Sequence, residues 1–324
     1  MPPSTATAAA PRNVELAPPK RWPDLSFHWL SLLASLTIVA LIFLVGWKLY
    51  LGARLSIGQF GLHFLVSTTW DPVTDTYGAW PFIFGTLVSS LIALLIAVPL
   101  GVGTALYLTE MAPIRIRQPI IMVIEMLAAV PSVIFGLWGI FVMIPWLRDH
   151  LFPFLKRTLG FLPFFRGTIY GVSMLAGGII VAIMILPIVT SVSREILRSV
   201  PNLQREAAYA LGATHWEVIR LAVLSYARRG IFGASVLGLG RALGETMAVT
   251  MVIGNRPEVN ASLFAPGYTL ASVIANEFTE ATSDLYLSSL FELGLVLIAV
   301  TLTVNVFAQM MLRSLSGGAS GKVH

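Results

Sequence analysis

Arg241 and Glu245 stand in GLGRALGETMAVTMVIGN (238–255), and Gly230–Asn255 carries no other charge. Spaced i, i+4, the two side chains share one face of a continuous helix. An ionised side chain at the centre of a membrane helix costs about 2.5–3.5 kcal/mol on insertion scales, so such residues face a bundle interior or a wet cavity. Two readings follow. The pair is a structural ion pair that holds helices in register, or it marks an anion path. A guanidinium stays charged and presents a planar fork of donors that matches oxyanion oxygens. A carboxylate beside it would keep a multivalent anion from being trapped, as release requires. Two further carboxylates, Glu125 in IEMLAAVPSVIFGLWG (124–139) and Glu292 near the outer edge of the last apolar run, are read as interfacial and solvated or hydrogen-bonded.

Other reactive patterns are missing. There is no phosphate-binding G-x-x-x-x-G-K-[ST] loop. The nearest approach, GGASGKV, has Ser316 in place of the first glycine and Val323 in place of the Ser or Thr. This chain is therefore not expected to hydrolyse ATP. The histidines (His28, His63, His150, His215, His324) form no H-E-x-x-H, no G-x-S-x-G occurs, and cysteine is absent. No catalytic residue, metal site or resident cofactor is expected.

The elements that must position the pair follow from composition. Of 324 residues 56% are hydrophobic and 11% charged, with a mean hydropathy of +0.81, against about 25% charged in a soluble domain. A spanning helix needs roughly 20 apolar residues, and hydrocarbon leaves such runs no alternative to helix. The chain reads as an all-α polytopic membrane protein with six spans, at about 28–48, 82–108, 119–145, 168–193, 230–254 and 287–312. Residues 1–25, rich in Pro, Ala, Ser and Thr, read as a disordered cytoplasmic tail, 26–315 as the membrane domain and 316–324 as a C-terminal tail. The first span is read as a retained anchor. With the N-terminus inside, thirteen Lys and Arg fall on inner segments and seven outside, which favours N-in, C-in. The net charge of +5 is mostly this topology signal.

The cytoplasmic loop 194–229, REILRSVPNLQREAAYALGATHWEVIRLAVLSYARR, is too polar to span and too periodic for coil. Residues 202–211 read as a short helix with Gly212 as its left-handed stop. Thr214 followed by Glu217 is a capping box that opens a second helix. Such a helix–glycine–helix element would project a stiff knob suited to a soluble partner. In the outer connection (about 48–80) DPVTD reads as a turn. Pro99 would bend the second span, and Gly233, Gly238, Gly240 and Gly244 suit close packing along the fifth.

EAAYALG (206–212) and the LAVLS that follows resemble the EAA signature of ABC importer permeases: Glu206, Ala207, Ala208, Gly212 and Leu224 match, while Ala222 replaces an isoleucine and Ser225 a proline. GLGRALGETMAVTMVIGN, together with STTWDPV (67–73), FGTLVSSLIALLIAVPLGVGTALYLTEMAP (84–113), IEMLAAVPSVIFGLWG and ANEF (275–278), is similar to the phosphate-type permeases of that superfamily, from about residue 30 to 312. The resemblance implies a type I (MetI-like) importer permease in a bacterial inner membrane. It implies pairing with a homologous permease, PstA, a dimer of the ATPase PstB that binds ATP and Mg, and an external phosphate-binding protein, PstS. It places Glu206 to Gly212 in the ATPase-coupling helix, and Arg241 and Glu245 on the substrate path. An oxyanion permease for sulfate or molybdate remains the alternative, with an ATP-independent anion transporter behind it.

Overall fold

The computed structural model describes residues 21–317, with side chains described for 25–312. Among these residues every regular element is helical, apart from two isolated bridges, Asp71 with Thr76 and Gly254 with Gly267. The principal helices are α1 (Arg21–Phe60), α2 (Trp80–Leu106), α3 (Ile114–Ala128), α4 (Ser132–Leu159), α5 (Met174–Arg198), α6 (Asn202–Ala210), α7 (His215–Leu243), α8 (Met247–Ile253), α9 (Leu270–Glu277) and α10 (Asp284–Gly317). Five helices are long and apolar enough to cross a membrane, and the bent pair α7–α8 makes a sixth. Met1–Lys48 and Leu49–His324 are two separate units. In the first, the described side chains of α1 are almost all exposed, the expected state of a lipid-facing helix.

The core of the second unit is α2 against α5. Ala93 and Ala97 pack with Ile180 and Ile185, and Val252 of α8 joins them. Small residues let the backbones approach, so van der Waals contact replaces the missing hydrophobic drive between helices in lipid. Pro99 lies inside α2, which runs on past it. Near its N-terminal end α2 also meets the segment before α9: a Cβ at Gly85 would land on the Tyr268 carbonyl oxygen, a backbone atom that cannot rotate away. Gly85→Ala is therefore expected to cut the monodisperse, membrane-inserted protein severely, whereas Gly103→Ala, with no heavy atom within 4 Å of the new Cβ, leaves it unchanged. Equal yields would show that the helix end yields to the methyl.

Several boundaries differ from the sequence expectation. Residues 1–20 of the expected tail lie outside the described residues, but α1 already begins at Arg21 and continues through Phe60, beyond the expected end at 48. At the other end α10 runs to Gly317, two residues into the expected tail, and 318–324 lie outside the described residues. The third apolar run is not one helix over 119–145. Pro131 pushes Val130 out of helical geometry, so α3 ends at Ala128 and the long helix is α4. Arg148, Lys156 and Arg157, expected in a loop, belong to α4. Pro145 and Pro153 fit inside it because each follows a wide π turn, Gly139–Met143 and Leu147–Leu151, where the regular i→i−4 ladder is relaxed. The loop 194–229 is not closed by a separate second helix either: α7 is continuous from His215 through a wide turn, Val218–Leu224, into the membrane run. Ser225 has an N–H and no ring, so nothing at that position stops the helix.

Candidate functional site

The RALGE segment does not sit mid-helix. α7 ends at Leu243, Gly244 caps it at φ −96, ψ 0, and Thr246 at φ −114, ψ −69 precedes α8. The two helices meet at 67°. Arg241 therefore lies in the last turn of α7, while Glu245 lies in the break after it. The shared helical face assumed for the pair is gone, and Arg241 and Glu245 are not among the ion pairs Arg148–Asp149, Arg194–Glu125 and Arg205–Glu110. The correction has a simple cause: i, i+4 adjacency needs unbroken helix, and the wide bend after Gly244 removes it.

Arg241 instead borders a cavity of about 710 Å³ between α5, α7 and α10, with Ile188, Gly233, Gly240, Asn305 and Gln309 in its wall. Packing accounts for Gly238, whose added Cβ would come within 2.9 Å of Val189, but not for Gly233 or Gly240, which have nothing within 4 Å. These two glycines leave the space open beside the guanidinium. Asn305 and Gln309 are i, i+4 on α10 and add amide donors and acceptors to an otherwise apolar wall. Sequence reasoning missed both. Their signal was faint: two amides one turn apart in an apolar helix.

The carboxylates divide. Glu125 is exposed (61%) and lies 3.6 Å from Arg194, in keeping with an interfacial, solvated group. Glu292 is not solvated: it is 7% exposed, with Oε2 buried and lacking a hydrogen-bond partner. It lies one turn beyond Ser288 of α10, whose hydroxyl accepts from the Ser56 backbone N–H at 3.1 Å, and inward burial decides over edge position.

The knob at the opposite end has the expected local form. α6 ends at Ala210, Gly212 takes φ +82, and the Thr214–Glu217 capping box is complete, Glu217 Oε2 accepting from Thr214 N at 2.7 Å. The Tyr209 hydroxyl hydrogen-bonds His215 Nδ1 at 2.6 Å and the rings stack, joining the helices on either side of Gly212. Glu206, Ala207 and Gly212 are exposed, Ala208 half-buried, and Leu203, Leu211 and Trp216 project at 75%, 89% and 62% exposure. Apolar side chains that far out of a helical element form a surface made to be covered. Gly212 has open space where a Cβ would go, so a side chain there meets only backbone strain, about 1–2 kcal/mol for a left-handed residue. Gly212→Val is expected to leave the protein in the membrane while loosening the knob, seen as faster amide hydrogen exchange over 203–217.

What holds the knob to the membrane helices is Arg205, which the sequence marked only as a topology charge. Its Nη2 donates to Glu110 Oε1 at 2.8 Å and to Leu197 O at 3.1 Å; Nη1 donates to Val200 O at 2.6 Å and Asn202 Oδ1 at 3.3 Å. Glu110 lies in the wide turn that closes α2, and the side chains are only 10% and 17% exposed. The guanidinium thus fastens α6 to the ends of α2 and α5 together.

At the end of the bundle away from the knob, TTWDPV and ANEF meet. Glu277 Oε2 accepts from Trp70 Nε1 at 2.8 Å and from the Tyr286 hydroxyl at 2.7 Å, inside a cluster with Tyr77, Phe82 and Tyr268. The DPVTD turn forms as expected: Asp71 bridges Thr76, Asp75 takes φ +51, and the Val73 backbone N–H holds the Asp71 carboxyl below its ordinary pKa. Burial, then the hydrogen bond to Asp75, pushes Tyr77 up to about 12.

A bundle of membrane-spanning helices, one of them broken beside an arginine-bordered cavity, with an exposed helical knob at one end, is the architecture of a membrane transport permease. A family model described as the inner membrane component of binding-protein-dependent transport systems matches residues 97–317. The phosphate transport system permease protein PstC of Mesorhizobium japonicum is 45% identical over 293 residues, 89% of this chain and 90% of that protein. PstC of Haemophilus influenzae is 45% identical over 295 residues (90% and 93%), and PstC 2 of Mycobacterium tuberculosis 42% identical over 313 (94% and 95%). Among solved structures, a chain of a bacterial alginate ABC transporter in complex with an alginate-bound periplasmic protein superposes with a TM-score of 0.61 over 91% of this chain and 98% of that one, at 18% identity, which speaks to fold alone. The chain belongs to the PstC family of ABC importer permeases, multi-pass membrane subunits that are transport components and not enzymes.

Proposed function

We propose that this chain forms, with a homologous second permease, the phosphate pathway of an ATP-driven importer in a bacterial inner membrane, oriented N-in, C-in. The observation that carries the reading is the open cavity beside Arg241, where a guanidinium, Asn305 and Gln309 border one space. A permanent cation in a low-dielectric wall attracts an oxyanion strongly, and amides supply neutral partners that can let it go. Glu245, in the break next to Arg241, sets the local potential rather than screening the guanidinium face to face. Names of the relatives favour phosphate over sulfate or molybdate, a choice that an arginine alone does not make.

In this reading Glu206, Ala207, Ala208 and Gly212 dock on a cytosolic ATPase of the PstB type, which binds ATP and Mg; this chain holds no cofactor. PstA is the partner permease and PstS the external donor. ATP-driven closure of the ATPase dimer pushes α6, and the Arg205 clasp passes the displacement to α2 and α5. Each ligand must prefer one state of the permease pair for this cycle to run. The test is uptake of labelled phosphate by the co-purified complex in proteoliposomes. Uptake that requires ATP and binding protein, and that excess phosphate but not sulfate suppresses, supports the reading; equal suppression by sulfate points to a general oxyanion permease, and uptake that survives ATP depletion to an ATP-independent transporter.

A further inference from the structure

A second basic cavity lies at the knob end of the bundle, apart from the one beside Arg241. It measures about 360 Å³ and is walled by Thr109 at the end of α2, by Arg117, Gln118 and Glu125 of α3, and by Arg194 and Arg198 of α5. Three guanidinium groups face one carboxylate. Glu125 does little to neutralise them, being largely in solvent and 3.6 Å from Arg194, whose side chain is only 15% exposed. Of the other carboxylates close by, Glu110 is already held by Arg205, and Glu195, beside Arg194 on α5, is exposed and outside the cavity wall. Arg117 is anchored by its Nη2, which donates to Thr109 O at 3.2 Å and Ala112 O at 3.3 Å, while its Nε is buried with no acceptor. A buried N–H of a charged group normally finds a partner.

We propose that this cavity is a binding site for a phosphate-class oxyanion, borne by inorganic phosphate or by an anionic lipid headgroup. Arginines bind such groups through paired, charge-assisted hydrogen bonds, and basic pockets between helices at the cytoplasmic face accept acidic headgroups. The occupant bridges α3 to α5 and offers the missing acceptor to the Arg117 cluster. The site shares no residue with the proposed transport path.

The full chain in phosphatidylcholine nanodiscs is titrated with inorganic phosphate by calorimetry, and native mass spectrometry counts phosphatidylglycerol retained from mixed-lipid nanodiscs. Both are run in the wild type and in Arg241→Gln, which separates this site from the transport path. Arg198→Gln, at an exposed position, and Arg117→Gln are each expected to weaken one ligand at least tenfold, about 1.4 kcal/mol, in both backgrounds. Loss in the calorimetric arm assigns free phosphate; loss in the mass-spectrometric arm assigns the headgroup. Arg115→Gln, on α3 outside the cavity wall, is expected to change neither. Binding of neither ligand, binding that vanishes with Arg241→Gln alone, or equal weakening by Arg115→Gln would overturn the site.

Discussion

Arg241→Gln is expected to bring phosphate uptake down to background, at least about 100-fold, while the subunit stays in the membrane and keeps its partners. The size of the effect follows from what the substitution removes. Two or more charge-assisted hydrogen bonds, each worth about 1.5–3 kcal/mol, are lost together with the one permanent cation of that cavity wall among the described residues. The stability cost is small, because Arg241 is exposed and makes no ion pair among the described residues. Membrane level, co-purification and uptake measured on the same preparation separate the outcomes. If the complex falls apart instead, Arg241 is a structural cation and the pathway lies elsewhere. Asn305→Ala and Gln309→Ala weaken uptake less, since a neutral amide carries no net charge to attract the anion.

Glu110→Gln carries the second large effect, at the other end of the molecule. Removing one charge of a mostly buried, hydrogen-bonded pair leaves the other unbalanced, a cost of about 3–5 kcal/mol. Arg205 would keep its carbonyl acceptors at Leu197 and Val200, so α6 stays tied to α5 but is freed from α2. We expect ATP turnover by the assembled complex to persist while phosphate moved per ATP falls about tenfold or more, with a lower unfolding temperature. Arg205→Lys does not restore coupling, because an ammonium cannot span four acceptors with a planar fork. An unchanged ratio of transport to ATP turnover in Glu110→Gln would remove the clasp from the transmission path. The Arg205→Met, Glu110→Gln cycle measures the coupling energy between the two.

By itself the sequence determined whatever depends on short range and on solvent preference. Apolar runs of spanning length make helices in lipid because no other backbone arrangement satisfies itself there, and the class of protein follows. The Gly212 stop and the Thr214–Glu217 box were legible because each is closed within four residues. So was the short helix before that stop, which forms over Asn202–Ala210 and leaves Glu206 and Ala207 exposed.

Tertiary structure alone decided the rest. Arg205 finds Glu110 across 95 residues of chain, and Glu277 finds Trp70 across 207; no local pattern encodes either meeting. Asn305 and Gln309 acquire meaning only when α10 lies beside α7. The RALGE pair was misplaced for the same reason: spacing predicts a shared face only while the helix continues, and the 67° bend that breaks it comes from packing α8 into the core through Ala248, Val249 and Val252. Burial of that short helix outweighs the hydrogen bonds that an unbroken span would have kept.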